Sequence, residues 1–395
     1  MPDTPLHIAQ LMRSASRGNA GVFVAASGLS RALAQHVGLE LAVFAVRDEH
    51  TEADRGQWGK LPLHAFPLLG PAAFSFAPGL GRAVRDFKPH IVHQHGLWTY
   101  PSLVTQRMAK RHNASVIISV HGMLTPWALQ HGAKKKKVAL RLYEQNNLAS
   151  ADCIHALTPP EVDEIRALGI KTPICLVNNG VALEDNGSDS EPTGRERPEK
   201  GELLYVGRLH AIKGISELLQ GWAIYKAKCE GAKKRQWRLK IVGWGDEPYR
   251  DKLLAMIAEL DIGESVDLVG PQFGDDLLAA YKNADAFVLT SHSEAMPMAI
   301  LEAWASGLPV IMTEECGLPE GYALGAAMKT STHPQEIAKT LADMAQMSKD
   351  SRRKMGSAGR ALVEERYSWQ SVARSFAAVY EWLAGRGAKP DCVIT

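Results

Sequence analysis

The feature that most constrains this chain is a pattern, present twice, of short continuous apolar segments separated by helical stretches. In the first half these segments lie at residues 6–12, 41–46, 90–93, 115–120, 153–157 and 174–177. In the second half they lie at 202–206, 239–242, 266–269, 286–289 and 310–312. Strands that are apolar on both faces and alternate with helices are typical of parallel sheets covered on both sides. The sequence therefore predicts an α/β fold with two doubly wound, Rossmann-like domains.

The segment 184–201 interrupts this pattern, because it is rich in Asp, Glu, Ser, Gly and Pro and nearly free of apolar residues. Two domains suit a chain of 395 residues. We expect a first domain at 1–183, a linker or long loop at 184–201, and a second domain at 202–368. Two such domains facing each other leave a cleft at the carboxyl ends of their strands, where ligands bind in these folds.

Composition excludes several classes of protein. Charged residues make up 22% of the chain and the net charge is +2, which excludes global disorder. No apolar run approaches the roughly 18 residues of a membrane span. The first residues lack the basic and apolar pattern of a secretion signal. Five Cys without a C-x-x-C pair fit a reduced environment, so we expect a cytoplasmic protein.

The charge is unevenly divided between the two halves. Residues 1–180 hold 19 Lys and Arg against 12 Asp and Glu, a net charge of +7. Residues 181–395 hold 26 against 31, a net charge of −5. The first half therefore favours an anionic partner, such as a nucleic acid, an anionic lipid surface or a phosphorylated acceptor. Ordinary scatter of charges explains the same numbers.

The segment from Ser291 to Pro309 carries the strongest signal. Pro297 suits the first turn of a helix and Gly307 its end, which predicts a helix over about 297–306. Glu294 then lies in the preceding loop and Glu302 inside the helix. Free amides in the first turn would bind an anion, and the carboxylates would bind sugar hydroxyls. Equally, Glu294 is explained as a partner of the helix dipole and Glu302 as a surface residue.

A second strand-to-loop segment contains Gly207, Arg208 and Lys213. Two cations after a strand can neutralise a diphosphate, and Gly207 permits its close approach. A solvated pair of cations is the alternative explanation. Gly243 begins a third such turn, Gly-Trp-Gly, but the third glycine of a dinucleotide fingerprint is missing and no phosphate-binding G-x-x-x-x-G-K-[ST] loop occurs.

In the first half, His121 directly follows an apolar segment, where it can donate a hydrogen bond to a substrate hydroxyl or carbonyl. A packed or solvent-facing histidine is the alternative. His93 and His95 have no Cys or carboxylate at ligand spacing, so we expect no zinc site. No two Asp are separated by one residue, so a D-x-D metal–nucleotide motif is absent. The sequence therefore predicts no metal.

A basic run in the first half consists of Lys134, Lys135, Lys136 and Lys137, with Arg141 nearby. It precedes an amphipathic stretch, which makes contact with a membrane surface a hypothesis. A solvated helix face is the alternative.

Taken together, these motifs resemble the GT-B glycosyltransferases of family 4, the glycosyl transferases group 1. The resemblance rests on Gly207–Gly214, Val242–Gly245, the Glu294–Glu302 spacing and Leu301–Val310. Looser similarity extends over Gly18–Gly21, Ser119–Gly122, Asn179–Val181 and Tyr367–Trp369. It implies the GT-B fold, with a final helix at about 369–386 that packs back on the first domain. In that arrangement the first domain binds the acceptor and the second the donor.

The resemblance also implies roles for particular residues. Arg208 and Lys213 would hold the diphosphate, Glu302 the ribose and Glu294 the hydroxyls of the donor sugar. His121 would lie near the anomeric carbon and the 6-position. His121, Glu294, Arg208 and Lys213 form the implied catalytic set. The implied donor-binding residues are Gly18, Gly21, Gly207, Arg208, Lys213, Gly243, Val269, Gly270, Glu294, Ala295, Met296, Pro297, Met298 and Glu302. Ala295 stands where the family often has Gly, and the Gly18–Gly21 loop lacks the usual Gly-Gly pair.

The implied activity is retaining, metal-independent hexosyl transfer from a UDP- or GDP-linked sugar. It needs no cofactor, and the expected acceptor is an oligosaccharide or a lipid-linked glycan in polysaccharide or glycoconjugate biosynthesis. We expect no nucleic-acid partner, and peripheral attachment to the inner face of the membrane is a hypothesis. A sugar-nucleotide epimerase, a phosphorylase or another GT-B enzyme is the alternative. A dinucleotide oxidoreductase and a non-catalytic sugar-binding protein fit the sequence less well.

Overall fold

The computed structural model describes residues 4–130, 133–183, 201–229, 237–294 and 296–395. Ala295 and all of the expected linker except Gly201 lie outside the described residues. The strands are β1 (Leu6–Ser14), β2 (Leu39–Val46), β3 (Leu63–Phe66), β4 (Ile91–His95), β5 (Ser115–Ser119), β6 (Cys153–Ala156), β7 (Ile174–Leu176), β8 (Gly201–Val206), β9 (Trp237–Val242), β10 (Val266–Gly270), β11 (Ala286–Leu289), β12 (Val310–Thr313), β13 (Ala327–Thr330) and β14 (Val393–Ile394).

The α-helices within these ranges alternate with the strands over most of the chain. They are α1 (Ala20–Leu33), α2 (Thr51–Asp54), α3 (Leu80–Asp86), α4 (Tyr100–His112), α5 (Pro126–Gln130), α6 (Ala133–Ala139), α7 (Gln145–Ala149), α8 (Pro159–Ala167), α9 (Ile215–Cys229), α10 (Glu247–Glu259), α11 (Gly274–Asn283), α12 (Met298–Ala305), α13 (Pro319–Ala323), α14 (Pro334–Gln346), α15 (Lys349–Leu362) and α16 (Trp369–Leu383). No helix among the described residues combines the length and the apolar character needed to cross a membrane.

The chain folds as two compact units, one of residues 1–180 with 369–395 and the other of 181–368. We call them unit 1 and unit 2. Helix α16 belongs to unit 1, and the expected domain boundary at residue 183 falls three residues inside unit 2. Both units are built on parallel sheets, which confirms the α/β class with two Rossmann-like domains.

Unit 1 contains a sheet in the order β14-β7-β6-β5-β4-β1-β2-β3, parallel except for the antiparallel edge strand β14. Its strands are apolar on both faces because helices cover both. Ile117 packs in the cluster that includes Phe376 of α16. Ile118, pointing to the opposite face, packs with Val104 of α4. The order of the strands reverses between β1 and β4, so the carboxyl ends of these strands border the ligand crevice of such a sheet.

Unit 2 contains a parallel sheet in the order β10-β9-β8-β11-β12-β13. One continuous apolar cluster includes Leu203 of β8, Phe287 of β11 and Trp304 of α12, all fully buried. The order in which the strands are added to the sheet reverses between β8 and β11. The loops that follow these two strands, 207–214 and 290–297, are therefore the loops that such a sheet uses for ligand binding.

Gly201 corrects one prediction, because it lies in β8 and not in the linker. It pairs with Trp237 of β9, and a Cβ at Gly201 would approach the Trp237 ring to 2.8 Å. A residue with a side chain would not fit there without displacing the ring. The packing of the sheet therefore requires glycine at this position, which the sequence alone assigns to the linker.

Candidate active site

The loops after β8 and β9 in unit 2 touch through their backbones. The amide of Gly207 donates to the carbonyl oxygen of Val242 at 3.1 Å. A Cβ at Gly243 would lie 1.9 Å from the carbonyl oxygen of Gly207, so no other residue type fits at position 243. The amide of Gly243 donates to the carbonyl oxygen of Gly270 at 2.9 Å. Backbone hydrogen bonds at Gly207, Gly243 and Gly270 thus connect the carboxyl ends of the neighbouring strands β8, β9 and β10.

Arg208 and Lys213, the two expected diphosphate ligands, lie in different surroundings. Arg208 is exposed and forms no ion pair or hydrogen bond with the described part of the chain. Lys213 ends a short 3-10 turn, and its Nζ donates to both carboxylate oxygens of Glu294, at 2.7 and 2.6 Å. The structure therefore brings the expected diphosphate ligand Lys213 and the expected sugar ligand Glu294 into one ion pair.

Glu294 is held in place from several sides. Its side chain is 6% exposed. The Ser291 hydroxyl donates to its Oε1 at 2.5 Å, and its own amide donates to the carbonyl oxygen of Glu315 at 3.1 Å. Ser291 follows β11 at the site's edge and was not among the expected site residues. Its position three residues before Glu294 was the available signal, because a serine there can reach the glutamate side chain locally.

Helix α12 begins at Met298, and Pro297 immediately precedes it. The expectation of a free anion-binding first turn is wrong in part. The amide of Met298 donates to the carbonyl oxygen of Met296, and the amide of Ile300 donates to that of Pro297. Pro297 occupies the N-cap position and bends the chain so that these amides are used within the turn. The helix ends as predicted, with Gly307 at φ +73°.

Glu302 lies in α12, and its Oε2 accepts a hydrogen bond from the Tyr281 hydroxyl at 2.7 Å. Burial raises the pKa of Glu302, and the hydrogen bond from Tyr281 acts in the opposite direction. This carboxylate is therefore no ordinary surface residue. Tyr281 was missed at the sequence level because it lies on α11, 21 residues away in the chain, and no local pattern links it to Glu302.

Val269 and Gly270 end the edge strand β10. The pairing of β10 with β9 shifts register between Leu268 and Gly270, which makes Val269 the extra residue of a bulge. The backbone groups of a bulged residue are left without ladder partners. Val269 is also 45% exposed, and Gly270 adopts φ +80° with open space around its Cα. Val269 therefore lies at an exposed edge of the sheet, whereas the carbonyl oxygen of Gly270 already accepts from the amide of Gly243.

The glycines of the N-terminal loop lie in unit 1, after β1. The amide of Gly18 donates to the Ser16 hydroxyl at 3.1 Å, and a Cβ there would lie 2.6 Å from an oxygen of Asp48. Gly21 is the second residue of α1 and is exposed, with nothing within 4 Å of a Cβ. Since the Gly18 amide is already used, Gly21 is the better placed of the two to contact an anion.

His121 follows β5 with its backbone in the left-handed region, at φ +50°. Such a conformation is uncommon for a residue with a side chain and is found at functional sites more often than elsewhere. The half-buried ring lines a small recess within unit 1, together with His95, His155 and Trp369. Burial, with the proximity of His155, lowers the pKa of His121 to about 3, so the ring is neutral at physiological pH.

The basic run occupies helix α6 and the π-helical turn at Leu140–Glu144. Lys134, Lys135, Lys137 and Arg141 are exposed. Lys136 differs, because its Nζ donates to the carbonyl oxygen of Ala128 and lies 5.8 Å from the centre of the Trp98 ring. The expected cluster of solvent-facing lysines thus has one member that is turned inward.

Within the described ranges, no group of three or more His, Cys, Asp or Glu side chains is arranged to hold a metal ion. His93 and His95 hydrogen-bond to neighbouring side chains.

Two Rossmann-like units are the architecture of the GT-B class of folds, which agrees with the similar solved structures. Comparison with known proteins gives the family. A family model described as "Glycosyl transferase 4-like domain" matches residues 20–180, and one described as "Glycosyl transferases group 1" matches residues 189–362. The chain belongs to the group 1 glycosyltransferases of GT-B fold, of the family 4 type.

Relatives that align with most of this chain are identical to it at about a quarter of the aligned positions. A glycogen synthase of Mycobacterium tuberculosis is 26% identical over 306 residues, covering 75% of this chain and 69% of the relative. A D-inositol 3-phosphate glycosyltransferase of Thermobispora bispora is 26% identical over 321 residues, covering 78% and 74%. The crystal structure of Anabaena Alr3699/HepE with UDP and glucose has a TM-score of 0.72 at 16% identity, covering 95% of this chain and 100% of that one.

Proposed function

We propose that this protein transfers a hexose from a nucleoside diphosphate sugar, UDP- or GDP-linked, to an oligosaccharide or lipid-linked acceptor. The reaction retains the anomeric configuration and uses neither a metal nor another cofactor. The fold, the family and the crystallisation of Anabaena Alr3699/HepE with UDP and glucose support a nucleotide-sugar donor. Retention and the absence of a metal follow from the resemblance to family 4.

The observation that carries the proposal is the Lys213–Glu294 ion pair, formed between the loops after β8 and β11. A donor sugar and its diphosphate are covalently joined, so their ligands must be adjacent. Lys213 and Glu294 are in direct contact, and Arg208 supplies a second cation without a protein partner in the described chain. When the bond between the anomeric carbon and the diphosphate breaks, its electron pair moves to the diphosphate. Arg208 and Lys213 then stabilise the charge that develops there.

The nucleoside half of the donor is assigned to the neighbouring groups of unit 2. Glu302 accepts hydrogen bonds from the ribose hydroxyls, because Tyr281 occupies its Oε2 and leaves Oε1 available. The bulged backbone at Val269 and Gly270 contacts the base. In unit 1, His121 contacts the sugar.

The acceptor is assigned to unit 1, whose residues 1–180 carry a net charge of +7. On and after α6, Lys134, Lys135 and Lys137 lie close in the chain to Val138 and Leu142, which are 58% and 70% exposed. Basic residues beside exposed apolar ones suit the surface of an anionic bilayer. A lipid-linked diphosphate acceptor would bring the same chemistry, so we include peripheral membrane attachment in the proposal.

The test is a transfer assay with UDP-, GDP- and ADP-linked hexoses, in which the free nucleotide and the sugar product are both measured. We expect transfer that survives EDTA and a product whose anomeric proton coupling matches that of the donor. Epimerised donor without transfer would replace the proposal by the epimerase alternative. Inversion, or loss of activity on chelation with recovery on adding a divalent ion, would contradict retention or metal independence.

Site variants sharpen this test. Arg208→Ala should weaken binding of UDP itself in calorimetry, because a charge-assisted hydrogen bond is lost. Arg238→Ala is the matched control, since Arg238 forms a surface ion pair with Asp267. Glu294→Ala should lower kcat by roughly 10²–10³, as is typical when a group that acts in the transition state is removed. Unchanged UDP affinity in Arg208→Ala would overturn the diphosphate assignment.

A further inference from the structure

Four histidines of unit 1 lie in or just beyond the neighbouring strands β4, β5 and β6: His93 and His95 in β4, His121 after β5 and His155 in β6. His93, His95 and His155 are buried, and His121 lines the recess described above. Burial lowers the pKa of all four, to about 4 for His155 and well below its usual value for His93 and His95. Each ring is therefore neutral and carries one proton, on one of its two nitrogens. Which nitrogen holds it is decided by the hydrogen-bond partners.

The assignment starts from a group that can only accept. Nε2 of His155 lies 2.7 Å from the carbonyl oxygen of Val177, so Nε2 carries the proton and Nδ1 accepts. The Ser119 hydroxyl, 2.7 Å from that Nδ1, must donate its proton to it. Ser119 Oγ then accepts from Nε2 of His93 at 2.6 Å, and Nδ1 of His93 is left as an acceptor.

The sequence of donors continues through the C-terminal helix. The Tyr380 hydroxyl on α16 donates to Nδ1 of His93 at 2.7 Å and accepts from the Gln10 amide nitrogen at 3.3 Å. Because the Tyr380 proton is committed to His93, Gln10 must turn its nitrogen to Tyr380. Its Oε1 therefore faces His95 and accepts from Nε2 of that ring at 2.6 Å.

The last link reaches the recess. With its proton on Nε2, His95 presents Nδ1 as an acceptor, 3.1 Å from Nε2 of His121. Nε2 of His121 must therefore carry the proton. Nδ1 of His121 has a free lone pair and makes no hydrogen bond within the described part of the chain. We call this series of hydrogen bonds the relay. It runs from the Val177 carbonyl oxygen through His155, Ser119, His93, Tyr380, Gln10 and His95 to His121. The direction of each hydrogen bond in it is fixed by the one before.

We propose that this relay holds His121 as the Nε2–H tautomer, so that its Nδ1 accepts a hydrogen bond from a substrate hydroxyl in the recess. His121 thus acts as an acceptor and not, as the sequence suggested, as a donor. His95, Gln10 and Tyr380 are positioning residues that act through it. That the hydroxyl belongs to a sugar rests on the proposed function, whereas the tautomer does not depend on it.

The direct test is nitrogen NMR of the full chain labelled with ¹⁵N-histidine, because protonated and unprotonated ring nitrogens differ widely in chemical shift. His121→Asn assigns the signals by deletion. We expect the His121 Nδ1 signal in the unprotonated range and its Nε2 signal in the protonated range at neutral pH. A protonated Nδ1 on neutral His121 would overturn the proposal, even in an active enzyme. Absence of transferase activity with the expected tautomer would instead overturn the proposed function alone.

Tyr380→Phe interrupts the relay without removing the ring from the core. Gln10 then loses the partner that fixes its orientation, so we expect His121 to populate both tautomers. The kcat for transfer should fall severalfold while UDP affinity, which depends on unit 2, stays unchanged. Tyr100→Phe is the control, since this buried tyrosine of unit 1 lies outside the relay. A single unchanged His121 tautomer in Tyr380→Phe would show that the relay does not set it.

Discussion

At the scale of single residues, Glu302 illustrates how one hydrogen bond supports a buried binding carboxylate. Burial raises its pKa and the Tyr281 hydroxyl opposes that rise by stabilising the ionised form. We assign both carboxylate oxygens to hydrogen bonds, so ribose binding requires the ionised form. Protonation at acidic pH should therefore weaken UDP binding. Glu302→Ala should weaken it by about tenfold to a hundredfold, because hydrogen bonds to charged groups are worth about 1.5–3 kcal/mol.

Tyr281→Phe tests this account more finely than removal of the carboxylate. Without the hydroxyl the ionised form loses support, the pKa of Glu302 rises further, and UDP affinity should decline at a higher pH than in the wild type. Calorimetric titration with UDP over a pH series measures that midpoint. Tyr322→Phe is the control, because its hydroxyl donates to the Met312 carbonyl oxygen. Identical pH profiles for wild type and Tyr281→Phe would remove Glu302 from the site.

At the scale of elements, the turn that presents Lys213 depends on Gly214. This glycine adopts φ +65°, and a Cβ there would lie 1.9 Å from the carbonyl oxygen of Thr290, just after β11. Gly307, after α12, has a similar φ but open space around it. Gly307→Ala should therefore show only the backbone cost of about 1–2 kcal/mol. Gly214→Ala adds a clash, so its melting temperature should fall further than that of Gly307→Ala. For a unit of this size, each kcal/mol lost lowers the melting temperature by roughly 2–4 °C. Equal losses in the two variants would argue against close packing of the two loops.

The same elements show what the sequence could predict. Strands such as Ser115–Ser119 were recognisable because both faces are buried and the segment is almost continuously apolar. The strands Leu63–Phe66, Ala327–Thr330 and Val393–Ile394 were missed, since the first two are partly exposed and the third has two residues. The residues after the strands were also recognisable, but their partners were not. Lys213 meets Glu294 across 81 positions and Gln10 meets Tyr380 across 370, and only the fold brings such residues together.

At the scale of the whole molecule, the unequal charge of the two halves predicts binding to anionic membrane surfaces. We expect the protein to float with vesicles that contain anionic lipid at low salt and to be released at high salt, because salt screens surface charges. Changing Lys134, Lys135 and Lys137 to Ser should weaken binding by on the order of a hundredfold, at about 1 kcal/mol per basic residue. The control changes the exposed Lys60, Lys88 and Lys171 to Ser, which removes the same charge from scattered positions of unit 1. Equal weakening in both triple variants would mean that net charge, and not the surface around α6, drives attachment. No flotation at low salt would remove the membrane from the proposal and leave the transferase activity to be judged by its own assay.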